Sequence, residues 1–398
     1  MTIVLAWSVI GSSFTPVFDK ERETFGSHII TRKSRSLACC ARRKTVSCLS
    51  HSLHKASSAK VDWKNLGFGF MPTNCFVYAT YQNGFWSELE TSKETSIRIP
   101  IAATVLHYGQ AAFEGLKAFA CKDGSIRIFR PDKNAERLQL SASRIMMPLV
   151  PKEMFLDAVV RAVQENCEYV PPYGSGGSLY IRPFLFGSGA RVGLGPSDEY
   201  TFIVFVVPVG DYYKGGLAPV TAIVTEDYDR AAPLGVGNVK VGGNYAADLL
   251  PYMKSKERGY PVNLYLDPVE RKYIEEFGTS NFIAIGNKRT SFITPNSKSI
   301  LKSITNQSLM QLAEEELGLQ VEYRKVAIDE VSHFDEVAAC GTAVVITPVG
   351  RIVYQDEVIS IGNNPDQVGP VSKQLYELMR SIQFGQIPDK RHWMYKVV

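Results

Sequence analysis

Stretches of alternating apolar and polar residues give way along this chain to stretches where apolar residues recur every three or four positions. The first pattern predicts strands and the second predicts helices. Residues 106–119, LHYGQAAFEGLKAF, form a strand-like run carrying Tyr108, Phe113 and Gly115. Residues 116–129 hold two apolar runs around Lys122-Asp123-Gly124, which predicts a hairpin. Pro131 then opens PDKNAERLQLSASRI, where Ala135, Leu138 and Leu140 fall on or near one helical face. Residues 153–170 predict a stronger amphipathic helix. Strands are predicted at 178–187 and 200–210, the second apolar enough to be buried on both faces.

Beyond a glycine-rich stretch at 210–220, the candidate interdomain linker, the mixture repeats. PVTAIVTED predicts a strand, and NYAADLLPYMKSKERGY a helix that Pro251 bends or interrupts. Short strands follow in VNLYLDPVERKYIEEF, NFIAIGN and TSFITP, then a helix at 303–319, a strand, a glycine turn at Gly341 and a last helix near 371–384. Strands outnumber helices without a regular βαβ alternation, so the expected class is α+β rather than a doubly wound sheet. Neither a GxGxxG after a strand nor a Walker loop is present.

One stretch breaks the pattern. GVGNVKVGGNY, residues 235–245, holds a single charge, Lys240, between valines and next to Gly242 and Gly243. A lysine hemmed in by apolar groups loses hydration, which favours its neutral, nucleophilic amine. Backbone without side chains lets a ligand come close. Carbonyl chemistry is one reading of the stretch; an ordinary loop lysine between a strand and a helix is the other.

Composition narrows the classes. Of 398 residues, 45% are hydrophobic and 21% charged, the balance of a globular protein, and the length suggests two domains. No apolar run is long enough to span a bilayer. Seven cysteines, at 39, 40, 48, 75, 121, 167 and 340, form neither CxxC nor a metal-ligand spacing, which fits free thiols in a reducing compartment and no metal site. Residues 32–60 carry eight Lys or Arg, many serines and no acid, the composition of an organellar transit peptide, a disordered basic tail kept in the mature protein being the other reading. The segment 1–60 has ten basic and three acidic residues, a net of +7, so the other 34 basic and 37 acidic residues leave the rest near −3. The formal charge of +4 therefore belongs to the leader and gives no reason to expect nucleic-acid binding.

Other segments become informative together. SLYIRPF puts Tyr180 and Arg182 on one strand face, IEEFGTSNF carries Glu275 and Glu276 before a glycine turn, and ACGTAVVITPV sets Gly341-Thr342-Ala343 between apolar strands. With LHYGQAAFEGLKAF, RPDKNAERL, DRAAPLGVGNVKVGGNY and SITNQSL they stand in the order of a known family. From about Asp62 onward the sequence resembles the plant-type branched-chain amino-acid aminotransferases, fold-type IV enzymes that use pyridoxal 5'-phosphate. The resemblance implies a small N-terminal α/β domain over 61–210, a linker over 211–218 and a larger, β-rich cofactor-binding domain over 219–398, after a leader over 1–60.

It also implies roles. Lys240 would carry the cofactor as an aldimine and, once displaced, move the proton between substrate Cα and cofactor. Glu276 would keep the pyridine nitrogen protonated, with Glu275 as the alternative if the register is shifted by one. Tyr245 would bond the cofactor's phenolic oxygen. Arg137, Ile304, Thr305 and Thr342 would hold its phosphate. Tyr108, Arg182 and the amides of Thr342 and Ala343 would orient substrate carboxylates, while Phe113 and Tyr180 wall an apolar pocket. The implied reaction is reversible amino transfer between L-leucine, L-isoleucine or L-valine and 2-oxoglutarate. The implied assembly is a homodimer whose partner helps line each site.

Two departures stand out. Many relatives have Pro-Gly-Ile-Thr-Arg where this chain reads Lys302-Ser303-Ile304-Thr305-Asn306, and the redox CxxC of some animal relatives is replaced at Val344 and Thr347. D-amino-acid transamination, aminodeoxychorismate lyase chemistry and a cofactor-binding regulator without turnover are the competing readings. The leader's serine-rich, acid-poor composition points to a plastid, with the mitochondrion as the alternative.

Overall fold

The computed structural model describes residues 61–210 and 216–398. The expected leader, and the expected linker from 211 to 215, lie outside the described residues. Within them are eighteen strands and six α-helices: α1 Thr104–Tyr108, α2 Pro131–Arg144, α3 Lys152–Glu165, α4 Gly242–Glu257, α5 Ile304–Glu315 and α6 Pro370–Gln383.

The first sheet is built around the paired strands Ser178–Gly187 and Tyr200–Val209, with the predicted hairpin of Leu116–Ala120 and Ile126–Phe129 on one flank. Helix α3 buries Phe155, Ala158, Val159, Ala162 and Val163, a stripe at helical spacing, against this sheet. Helix α2 starts where Pro131 supplies the first helical φ, and it buries Ala135 and Leu138. Leu140, expected near that face, is instead 65% exposed, because two positions beyond Leu138 lie on the far side of a 3.6-residue turn. The strand Met394–Lys396, in the stretch that the resemblance assigns to the larger domain, pairs antiparallel with Ile126–Phe129 of the first sheet.

In the second sheet, Ile274–Phe277, Val262–Leu266, Val220–Val224, Val345–Tyr354, Glu336–Gly341 and Asn281–Gly286 pair in sequence. A last pairing, Glu276 with Asn281, returns to the first of these and closes six strands into a ring. The ring is filled by Leu264, Phe277, Phe282, Ala284, Val337 and Ile352 among others. Helices α5 and α6 cover its outside and share a core with Phe119 and Phe129 from the first sheet. Each large side chain so buried contributes about 1.5–3 kcal/mol, and these two fasten one sheet's elements to the other's.

Two local expectations are corrected. Tyr108 does not lie in a strand: it ends α1, which Gly109 closes at φ 60 before the strand Ala111–Phe113 begins. Pro251 does not interrupt its helix, since α4 runs through it to Glu257. Its missing N–H leaves one carbonyl of the preceding turn without a helical partner, a local loss the buried ring position offsets.

Candidate active site

Backbone pairing carries Lys240 to the first sheet. The Lys240 carbonyl accepts from Phe113 N at 3.1 Å, Val241 bridges Ala112, and Ser141 Oγ of α2 accepts from Lys240 N at 2.9 Å. The side chain is thereby aimed at a small cavity of about 50 Å³ lined by Arg137, Arg230, Lys240, Tyr245, Glu276, Asn281, Ser303, Cys340 and Thr342. Tyr245, on the first turn of α4, receives a hydrogen bond from Lys240 Nζ at 2.6 Å. Phe113 lies beside both, its ring centre 4.7 Å from Lys240 Nζ and 4.9 Å from the Tyr245 ring.

The aromatic wall continues outward. The Arg182 guanidinium sits 4.7 Å over Phe113 and donates to Tyr180 Oη at 3.0 Å, as their shared strand face requires. Gly115 makes this possible: a Cβ there would lie 2.2 Å from the Tyr180 hydroxyl oxygen.

Opposite Lys240, Glu276 stands at the seam where the ring of strands closes. Its carboxylate accepts from Leu301 N at 3.0 Å and pairs with Arg230 Nη1 at 2.8 Å. Glu275 faces the other way, toward Ser297 and Ser299, as adjacent strand residues must, so of the two it is Glu276 that lines the cavity.

Burial shapes the electrostatics. Desolvation and the nearby Arg137 guanidinium lower the Lys240 amine to about 8. At pH 7 about a tenth of it is neutral, against about one part in three thousand at the ordinary value. Burial pushes Glu276 up to about 7, with Arg230 pulling the other way, and lifts the Tyr245 phenol to about 12.

Arg137 reaches the cavity, but not as a free fork. Its Nε and Nη2 clasp Glu114 at 2.8 Å each, and its Nη1 donates to the Lys302 carbonyl at 3.1 Å. Ile304 and Thr305 open α5, capped by Ser303 Oγ, which accepts from Asn306 N. They line a small adjoining cavity with Thr342, Gly115 and Lys117. Ala343 is exposed at the tip of the turn after Thr342. Tyr108 is not brought to this group: its hydroxyl donates to the Val192 carbonyl on an exposed loop. A Cβ at Gly242 or Gly243 would meet no protein atom within 4 Å, so no protein contact demands either glycine.

Glu114, Arg230 and Lys117 were missed in the sequence. Glu114 and Lys117 are charges inside an apolar run, the same signal that singled out Lys240.

Among sequence families, the model for class IV amino-transferases matches residues 111–352. A branched-chain-amino-acid aminotransferase of Haemophilus influenzae is 47% identical over 342 residues, covering 85% of this chain and 99% of that protein. The chain belongs to the class IV aminotransferases, in the branched-chain amino-acid group. A chloroplastic branched-chain amino acid aminotransferase of Humulus lupulus is 45% identical and covers 84% of this chain and 81% of that one. The crystal structure of the Escherichia coli branched-chain amino acid aminotransferase matches with a TM-score of 0.68 at 26% identity, over 82% of this chain and all of that one.

Proposed function

We propose that this aminotransferase exchanges amino groups between branched-chain L-amino acids and 2-oxoglutarate with pyridoxal 5'-phosphate as cofactor. The donor set fits that cofactor. The cavity offers a partly neutral amine, a buried carboxyl group, and hydroxyl, cationic and helix N-terminal donors suited to a phosphate. Among the described residues, the Nε atoms of Arg230 and Arg182 are also buried without a hydrogen-bond partner.

When bound, pyridoxal phosphate supplies an aldehyde for an amine to attack and a ring that takes up the electron pair left at Cα. Lys240 Nζ would anchor it and then take the proton from substrate Cα and pass it to the cofactor, the reverse transfer serving the other half of the exchange. Tyr245, 2.6 Å away, orients that amine. Glu276 would face the ring nitrogen and keep it protonated, with Arg230 holding its carboxyl group at 2.8 Å. Arg137, Ile304, Thr305 and Thr342 hold the phosphate, with Glu114 orienting Arg137. The amides of Thr342 and Ala343 hold the substrate α-carboxylate. Phe113 and Tyr180 wall the apolar side chain, and Arg182 at their edge admits the second carboxylate of glutamate.

The family's activity and the Lys240–Tyr245–Glu276 constellation carry this reading. Its test is a spectral titration of cofactor-loaded protein. L-leucine and L-glutamate should each discharge the visible absorbance and D-alanine should not; discharge by D-alanine would move the assignment to the D-amino-acid branch.

The homodimer belongs to the same proposal. Ile101, Leu106, Val192 and Leu194 are exposed around Tyr108, an apolar surface suited to a second copy. Sedimentation giving an active monomer would reject it. The small domain over 61–210 and the cofactor-binding domain from 219 onward, less the strand Met394–Lys396 that joins the first sheet, belong to the proposal too, supported by a sheet and hydrophobic cluster of each. Plastid import is proposed from the leader's composition and the chloroplastic relative, and a leader–reporter fusion tests it against the mitochondrion.

A further inference from the structure

The turn at residues 342–344 joins Glu336–Gly341 to Val345–Tyr354 and borders the active-site cavity. Two features hold it in one shape. At its base, Val345 has φ 67, and Ile346 N donates to the Val344 carbonyl at 2.9 Å. A hydrogen bond across a single residue of positive φ is the strained form of the γ-turn. Glycine would take that conformation readily; a β-branched residue does so only when its surroundings impose it. Val345 is buried to 4% exposure in the core shared with α5 and α6, so packing fixes the base.

The tip is fixed from the other sheet. Lys117, on the strand Leu116–Ala120, is only 6% exposed. Its Nζ donates to the Ala343 carbonyl at 2.6 Å, across 226 positions of sequence. Lys117, Thr342 and Val345 line one small cavity beside the start of α5. A cation bonded to that carbonyl fixes the orientation of the Ala343 peptide and adds positive charge beneath the turn.

We propose that Lys117 is a positioning residue for substrate recognition: it clamps the strained turn so that the amides of Thr342 and Ala343 stay aimed at the α-carboxylate. This rests on the reading of those amides given above. Lys117 touches no reacting atom. Its removal should therefore raise KM for amino acids and oxo acids while kcat at saturation stays close to its starting value.

The experiment uses the full protein loaded with pyridoxal 5'-phosphate, following cofactor absorbance as ligand is added. The probes are isocaproate, the leucine skeleton with a carboxylate and no amine, and isocaproamide, the same skeleton without the charge. The unaltered protein should bind the acid more tightly than the amide. Lys117→Met should weaken the acid about tenfold, or ~1.4 kcal/mol, and leave the amide unchanged. Lys117→Arg, which keeps a cationic donor, should recover most of the loss. If Lys117→Met does not fold, Lys117→Gln takes its place with the same expectations. Acid binding untouched by the substitution, or equal weakening of acid and amide, overturns the proposal while leaving the carboxylate site standing. An unaltered protein that does not distinguish acid from amide defeats the carboxylate site itself, and the proposal falls with it.

Discussion

Replacing Arg230 with methionine asks directly what keeps Glu276 ionisable. The two side chains meet at 2.8 Å with 6% and 4% exposure, so solvent screens their attraction little. With charge centres roughly 4 Å apart and an effective dielectric of about 20, the attraction is ~4 kcal/mol, equivalent to about three pKa units. Glu276 already stands at about 7, raised by burial above its ordinary 4.5. Without Arg230 it should titrate near 10, about three units higher. Because its folded value lies above its unfolded one, the group's stabilising share is fully present below pH 4.5 and is lost as pH rises through the folded value. In the unaltered protein that loss ends near pH 7; in Arg230→Met it should continue toward pH 10 at about 1.4 kcal/mol per pH unit. Losing Arg230's bonds to the Gly237 and Ser299 carbonyls adds a cost that does not vary with pH, so slope and offset separate the two effects. The assay is an infrared titration of the protonated-carboxyl band in cofactor-free protein, assigned by its disappearance in Glu276→Gln. A midpoint that moves by less than one unit, or downward, would refute the claim that Arg230 sets the charge of Glu276.

Lys240→Ala should remove the covalent cofactor signal and slow deuterium exchange at leucine Cα by about 10²–10⁴; exchange at the original rate would assign the base elsewhere. Gly115→Ala drives a methyl against the Tyr180 hydroxyl, at a cost of about 1–3 kcal/mol. Substrate KM should rise while cofactor affinity holds, and unchanged KM would show that Tyr180 does not wall the pocket. Glu114→Ala leaves Arg137 buried without its carboxylate, at about 3–5 kcal/mol. Adding Arg137→Met should restore part of the thermal stability, although not the cofactor binding; a double variant less stable than Glu114→Ala would contradict the reasoning.

Much of this was legible from the residues because local rules and global structure agree. The stripe of α3, the hairpin at Lys122-Asp123-Gly124 and the two apolar strands of the first sheet follow from periodicity alone. Lys240 stood out because its neighbours are valines and glycines. Tyr108 was misread because a five-residue helix is too short to develop a 3.6-residue period beside a strand. The ring closure at Glu276 and Asn281 rests on a single cross-strand pairing that no local pattern announces. Glu114, Arg230 and Lys117 owe their meaning to partners 23, 46 and 226 positions away, and pairings at such distances leave no periodic trace.

The pairing of Met394 with Phe129 sets a schedule for folding. The edge Ile126–Phe129 leaves the ribosome 265 residues before its partner, which at ordinary synthesis rates is roughly 13–50 s. Through that interval the hairpin presents an unpaired, largely apolar strand to the cell, open to any other extended chain. Newly made protein should therefore depend on chaperones for completing this edge, and a fusion or truncation that displaces Met394–Lys396 should lower the yield of soluble protein before it alters the chemistry at Lys240.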